Sequence, residues 1–178
     1  MRRRVVITGM GTVNPLGNSV EESWKAATEG QNGIGRITRF DTTELDIHIA
    51  GEVKEGETGI LTKKEKRRLD RFSQLALLSA HEAIHDSNVL EAIEDPYRAS
   101  VYFSSGIGGL ETIAKQDERG VEKGFDRISP FFIPMAIINI AAGHIAIGHN
   151  ERTAVVQHVF RLTFVRTLHA GTERPTAR

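Results

Sequence analysis

Apolar and polar positions alternate between two periods along the first 147 residues. Arg4-Val5-Val6-Ile7-Thr8 is β-branched and runs straight into Gly9-Met10-Gly11, the pattern of a short strand ending in a turn. After the turn cluster Asn14-Pro15-Leu16-Gly17-Asn18, Ser19 and Glu22 form a capping box. It predicts a helix through Trp24-Lys25-Ala26-Ala27 that stops near Gly30. Ile47–Val53 reads as a short strand. Thr62 is placed to cap a long helix from Lys63 to about Ser87, on which Leu69, Phe72, Leu75, Ala76, Ser79, Ala80, Ala83 and Ile84 recur at three and four. A second strand, Ala99–Ser105, ends in Gly106-Ile107-Gly108-Gly109. A polar helix over about Leu110–Glu118 and an apolar helix from Pro134 to Ile147 complete the series. Alternating strands and helices predict an α/β layered domain with a mostly parallel or mixed sheet.

The pattern fails near Gly148. Residues 151–178 hold five Arg, no Lys and no Asp. Strands are conceivable over Thr153–Val159 and Leu162–Val165, and nothing beyond Thr167 reads as ordered. We expect a boundary between residues 1–147 and a tail, 148–178, that is either translated in another frame or disordered.

Composition narrows the chemistry. The 178 residues carry 23 basic and 23 acidic side chains, so no global field favours nucleic acid or an anionic membrane. With 39% apolar residues the chain can build a core. It contains no cysteine, which excludes disulfides, thiolate-ligated metal and a thiolate nucleophile within it. The basic start Met1-Arg2-Arg3-Arg4 is followed by too short an apolar run for a secretory signal. Ser129–Gly148 passes without a formal charge, but Pro130, Pro134, Asn139 and His144 favour a buried helix over a membrane span. A cytoplasmic protein is the expectation.

Four motifs invite function. Thr8-Gly9-Met10-Gly11 lacks the third Gly of a dinucleotide fingerprint, since Asn14 stands there. A tight, closely packed turn, with Gly permitting positive φ, is the simpler reading. Ser104 and Ser105 lie at a glycine-rich strand end but outside any nucleophile elbow. Lys63-Lys64-Glu65-Lys66-Arg67-Arg68 is the concentrated basic run; Lys64, Arg67 and Arg68 would share one helix face. Such a face is either simply solvated or meets an acidic partner. His81-Glu82-Ala83-Ile84-His85 completes the zinc-hydrolase pattern, with no identifiable third ligand.

Together these segments resemble the N-terminal part of the β-ketoacyl-[acyl-carrier-protein] synthase family, nearest its elongating type II members. The resemblance rests on Arg4–Gly11, Pro15–Asn18, Ser23-Trp24-Lys25, Phe40-Asp41, Leu69–Phe72, Ser105–Leu110, Ile128–Pro134, and Asn139 with Ala142-Gly143-His144. It implies the N-terminal half of a dimeric, thiolase-like αβαβα fold whose C-terminal half is missing. It also implies decarboxylative condensation of an acyl thioester with malonyl-carrier protein, without metal or other cofactor. In the family a cysteine nucleophile sits at a helix N-terminus, where the dipole favours thiolate, and two histidines stabilise the enolate and oxyanion.

The chain departs from that pattern after Ile147. It reads Glu151-Arg152-Thr153-Ala154-Val155-Val156 and onward without the expected cysteine. None of His149, His158 and His169 sits in a matching motif, so no catalytic residue carries over. By resemblance, Ile107 borders the acyl pocket, while Phe132 and Ile133 line the neighbouring subunit's pocket across the dimer. Lys64, Arg67, Arg68 and Arg127 match positions that meet acyl carrier protein; Asp126 is the unfavourable neighbour in that patch. The resemblance makes the helix carrying His81, Glu82 and His85 structural. The expectation is a truncated, inactive synthase. A non-catalytic carrier-binding relative is the alternative, and a zinc hydrolase the remote one.

Overall fold

The structure is a computed structural model that describes residues 4–54, 60–95 and 98–148, with two strand segments at 154–155 and 165–167. Its elements are β1 (Val5–Ile7), α1 (Val20–Thr28), β2 (Ile34–Arg36), β3 (Ile49–Gly51), α2 (Lys63–Lys66) and α3 (Arg71–Ser87), followed by β4 (Ser100–Val101), α4 (Leu110–Lys123), α5 (Phe132–Ala136), α6 (Ile140–Gly148), β5 (Ala154–Val155) and β6 (Val165–Thr167).

The core forms where α3 crosses α6. Ala80 and Ile84 of α3 pack with Ala142, Ile145 and Ala146 of α6 and with Val101 of β4; Leu77, Val89 and Phe103 seal the edges. Alanines at the crossing let the two helix backbones approach closely, as ridge-into-groove packing requires. α6 has no charged residue and buries Ala141, Ala142, Ile145 and Ala146. Among the described residues no helix is long and apolar enough to cross a membrane.

The long helix expected from Lys63 to Ser87 is two helices. Thr62 caps the first through a complete capping box with Glu65. The chain then turns, buries Leu69, and restarts with Asp70 as the N-cap of α3, its carboxylate accepting the Phe72 N–H at 3.1 Å. Asp is among the strongest N-cap residues, and here that local preference overrides a continuous apolar period. The apolar helix expected from Pro134 to Ile147 is likewise divided. Ile137 adopts extended backbone after α5, and Gly109 donates its N–H to the Ala136 carbonyl at 3.0 Å. Pro134 falls within the first turn of α5, where its missing N–H costs no helical bond.

Among the described residues the strands form three separate pairs. β2 and β3 pair antiparallel, with Ile34 opposite Gly51 and Arg36 opposite Ile49; β2 had no signal in the pattern. β1 pairs antiparallel with β6, and β4 pairs parallel with β5. Pairing among the described residues is therefore mixed. The tail contributes β5 within the first expected strand and β6 beginning at the end of the second. The rest of the tail, with His149, His158 and His169, lies outside the described residues.

Gly9 and Gly11 explain how the loop after β1 lies on α3. A Cβ on Gly11 would stand 1.9 Å from the Ser79 carbonyl oxygen, and one on Gly9 would stand 2.5 Å from that of Ala83. Neither glycine has positive φ, so close packing, rather than the backbone freedom also expected, is what the sequence supplies there. Side chains on α3 fasten the same loop. Asp86 accepts the Met10 N–H at 2.9 Å, and Glu82 accepts the N–H groups of Thr12 at 2.9 Å and Val20 at 2.7 Å.

This packing yields a contrast. Gly11→Ala should destabilise the chain by about 2 kcal/mol or more through overpacking against helix backbone. Gly35→Ala, with nothing within 4 Å of its Cβ, should stay within about 0.5 kcal/mol. Urea midpoints of the helical circular dichroism signal measure both, and equal midpoints would remove the close approach as the reason for Gly11.

Candidate functional site

The basic run forms an exposed turn of helix followed by a bend. Lys64 lies inside α2, Arg67 caps its C-terminus, and Arg68 sits in the turn before Asp70. Lys64 is helical, whereas Arg67 and Arg68 both lie in the turn that follows, so the continuous helix that would align the three is not formed. All three are exposed. Glu65, the one acid in the run, is occupied by Thr62, which donates from its hydroxyl and its N–H, each at 2.7 Å. Those bonds hold the Glu65 carboxyl below its usual range. Arg127 belongs to a separate short helical turn after α4 and lies 3.4 Å from the Asp126 carboxylate. Both partners are largely exposed, so that pair contributes little stability; Asp126 instead dilutes the local positive charge.

The apolar candidates occupy two adjoining segments. Gly108 and Gly109 rest against the C-terminal end of α5: a Cβ on Gly108 would meet the Ala136 carbonyl oxygen at 2.3 Å. Ile107, immediately before them, is 61% exposed. Phe132 and Ile133 open α5; Phe132 is half-buried and Ile133 is 59% exposed. Backbone packing thus brings the Ile107 loop to the helix that carries the other two. The Ser105 hydroxyl oxygen accepts the Gly108 N–H at 2.9 Å. It shapes the turn ahead of Gly108, and the Ser104 hydroxyl donates weakly to the Ser105 carbonyl at 3.4 Å. Both hydroxyls are used in loop geometry.

The zinc-hydrolase pattern dissolves in three dimensions. His81 and His85 are exposed and their rings run nearly parallel, 16° apart with centroids at 6.5 Å. Both Glu82 oxygens accept backbone N–H groups from the loops beside α3, leaving that carboxylate a fastening role. Among the described residues no three His, Asp or Glu side chains gather in a metal-holding group. His144 is half-buried on α6, and burial pushes its imidazole pKa down, away from the charged form.

Sequence reasoning placed Asp70 within the Leu69–Phe72 motif but gave it no role of its own. It is 6% exposed and serves two helices: Oδ1 accepts from Phe72 at the start of α3, and Oδ2 accepts from Thr112 at the start of α4, at 2.9 Å. An Asp ahead of an apolar period was the available local signal; the bond to Thr112 had none.

The family model described as "Beta-ketoacyl synthase, N-terminal domain" matches residues 2–157. The chain belongs to the β-ketoacyl synthase family. It is 44% identical over 146 residues to the 3-oxoacyl-[acyl-carrier-protein] synthase 2 of Staphylococcus aureus strain COL, covering 82% of this chain and 35% of that protein. The enzyme of the same name from Vibrio harveyi is 44% identical over 152 residues, covering 85% and 37%. The chain thus spans about a third of the length of the curated relatives it matches. Among solved structures, the ishigamide ketosynthase/chain length factor superposes with a TM-score of 0.76 at 25% identity, over 88% of this chain and 40% of that one. A β-ketoacyl synthase from Burkholderia phymatum STM815 gives 0.68 at 23% identity, over 87% and 39%, and supports the fold alone. The fold is that of the thiolase-like ketosynthases, of which this chain carries an N-terminal half. The match runs past Ile147 to include β5.

Proposed function

We propose that this chain is the N-terminal part of a β-ketoacyl-[acyl-carrier-protein] synthase of fatty-acid biosynthesis, and that the 178 residues by themselves do not condense substrates. The observation that carries the reading is a family match over residues 2–157 in a chain holding no cysteine. The family reaction joins an acyl group, held as a thioester on an active-site cysteine, to a malonyl unit on carrier protein with loss of carbon dioxide. Among the described residues the Ser104 and Ser105 hydroxyls meet the Ser105 carbonyl and the Gly108 N–H rather than a base that could make either a substitute for the thiolate. The proposal places the chain in the cytoplasm and gives it no metal or other cofactor.

Carrier protein is the proposed partner, through Lys64, Arg67, Arg68 and Arg127. Exposure of all four supports this, because cations that are solvated in the free protein can steer an acidic partner into place. A solved ketosynthase whose fold resembles this chain, with a TM-score of 0.65 at 19% identity over 89% of this chain and 42% of that one, is described in complex with a type II polyketide acyl-carrier protein. Ile107, Phe132 and Ile133 are proposed as acyl-pocket residues, the last two across a homodimer. The exposure of Ile133 in a single chain supports that assignment.

Three outcomes follow. Purified chain given acyl-carrier and malonyl-carrier protein should release no β-ketoacyl product; turnover at an enzymatic rate would refute the inactive reading. Carrier protein should bind more weakly as salt rises, and Lys64→Glu with Arg68→Glu should weaken it about tenfold or more. Unchanged affinity in that double variant would remove these side chains from the interface. Residues beyond the matched segment are proposed to follow another reading frame. A one-base shift within codons 148–157 should then open a cysteine-containing segment, and its absence from both shifted frames would make the tail a genuine sequence.

A further inference from the structure

His81 and His85 stand about one turn apart on α3, and the loss of the hydrolase pattern leaves this pair of imidazoles without a role. Side chains at i and i+4 share one helix face, with Cβ atoms about 5–6 Å apart. Both rings are on the solvent side and aligned with one another, 16° from parallel with centroids 6.5 Å apart. Among the described residues neither ring has a hydrogen-bond or ion-pair partner. That separates the pair from His48, whose Nδ1 lies 3.3 Å from the Thr42 hydroxyl, and from the half-buried His144.

The helix beneath the pair is held in place. Its opposite face buries Ala76, Ala80, Ala83 and Ile84, with Ala80 and Ile84 packed on α6. Glu82 and Asp86 fasten it to the N–H groups of Met10, Thr12 and Val20. A ligand bridging the two imidazoles would therefore order side chains alone, on a backbone already set. The same two carboxylates bias the surroundings toward cations. Each accepts neutral N–H groups and neither forms an ion pair among the described residues, so their charges are not cancelled. His85 also lies in the last turn of α3, where the helix dipole favours positive charge.

We propose that His81 and His85 chelate one divalent transition-metal ion, copper(II) by preference, at a surface site apart from the condensation chemistry. Imidazole suits copper, nickel and zinc, and affinity among the divalent ions peaks at copper(II). With metal–imidazole bonds near 2.0 Å, an ion on both rings holds their nitrogens ~3 Å apart. Exposed side chains reach that separation by rotating about Cα–Cβ and Cβ–Cγ. Two protein ligands leave the other positions of the ion to water. Glu82, the base of the hydrolase pattern, is engaged by Thr12 and Val20, so the site holds a metal without the hydrolase's reaction.

Titration of the full 178-residue chain with copper(II), followed by paramagnetic broadening of the imidazole proton resonances, tests this. The His81 and His85 signals should broaden together, at lower copper than those of His48 and His144. His81→Gln should weaken copper binding at His85 about tenfold or more, and His85→Gln should do the same at His81, because each ligand loses the effective concentration of the other. Both residues are exposed, so a folding defect is not expected in either variant. If the surviving imidazole broadens at the same copper concentration as in the parent chain, the two histidines are independent and the proposal falls. Absence of joint broadening in the parent chain, or copper reaching His48 or His144 first, would overturn it without any variant.

Discussion

Carboxylates on α3 and at its cap hold the chain together by accepting backbone N–H groups from far along the sequence. Glu82 and Asp86 take those of Met10, Thr12 and Val20, and Asp70 takes that of Thr112. Hydrogen bonds to a charged acceptor contribute about 1.5–3 kcal/mol each where water is partly excluded. Glycine makes the approach possible, since any side chain at residue 11 would enter the α3 backbone. The loop after β1, the start of α1 and the start of α4 are thus all positioned from one helix.

That network matters because the apolar core is thin. Among the described residues, eight of the twelve buried apolar ones are alanines: Ala26, Ala76, Ala80, Ala83, Ala136, Ala141, Ala142 and Ala146. Alanine permits close helix crossing but removes little apolar area from water, and stabilisation scales with that area. Larger apolar side chains meanwhile stay exposed, among them Ile7, Ile107, Phe131, Ile133 and Ile147. The chain spans about a third of the length of its curated relatives.

Charge is organised by the same geometry. The chain turns between α2 and α3, and Lys66 and Arg67 line a cleft of about 360 Å³ with Arg39, Arg71 and Lys115, while Lys64 and Arg68 lie outside it. Had Lys63–Ser87 remained one helix, Lys64, Arg67 and Arg68 would have formed a single face. The helix restart at Asp70 therefore separates in space side chains that are neighbours in the sequence.

The sequence alone determined what is local. Capping residues marked the starts of α1 and α2, the apolar period marked α3, and ordered motifs identified the family over most of the chain. The absence of cysteine was legible at once and bears directly on chemistry. Tertiary structure decided what depends on distant partners. It turned Glu82 from a candidate catalytic base into an anchor for Thr12 and Val20. It placed β2 opposite β3 although Ile34-Gly35-Arg36 has no strand pattern. It also drew Arg39 and Lys115 to Lys66. Capping and periodicity act over a few residues, so they can be read along the chain. Long-range acceptor choice and the convergence of charges depend on which segments pack together, and local composition leaves that open.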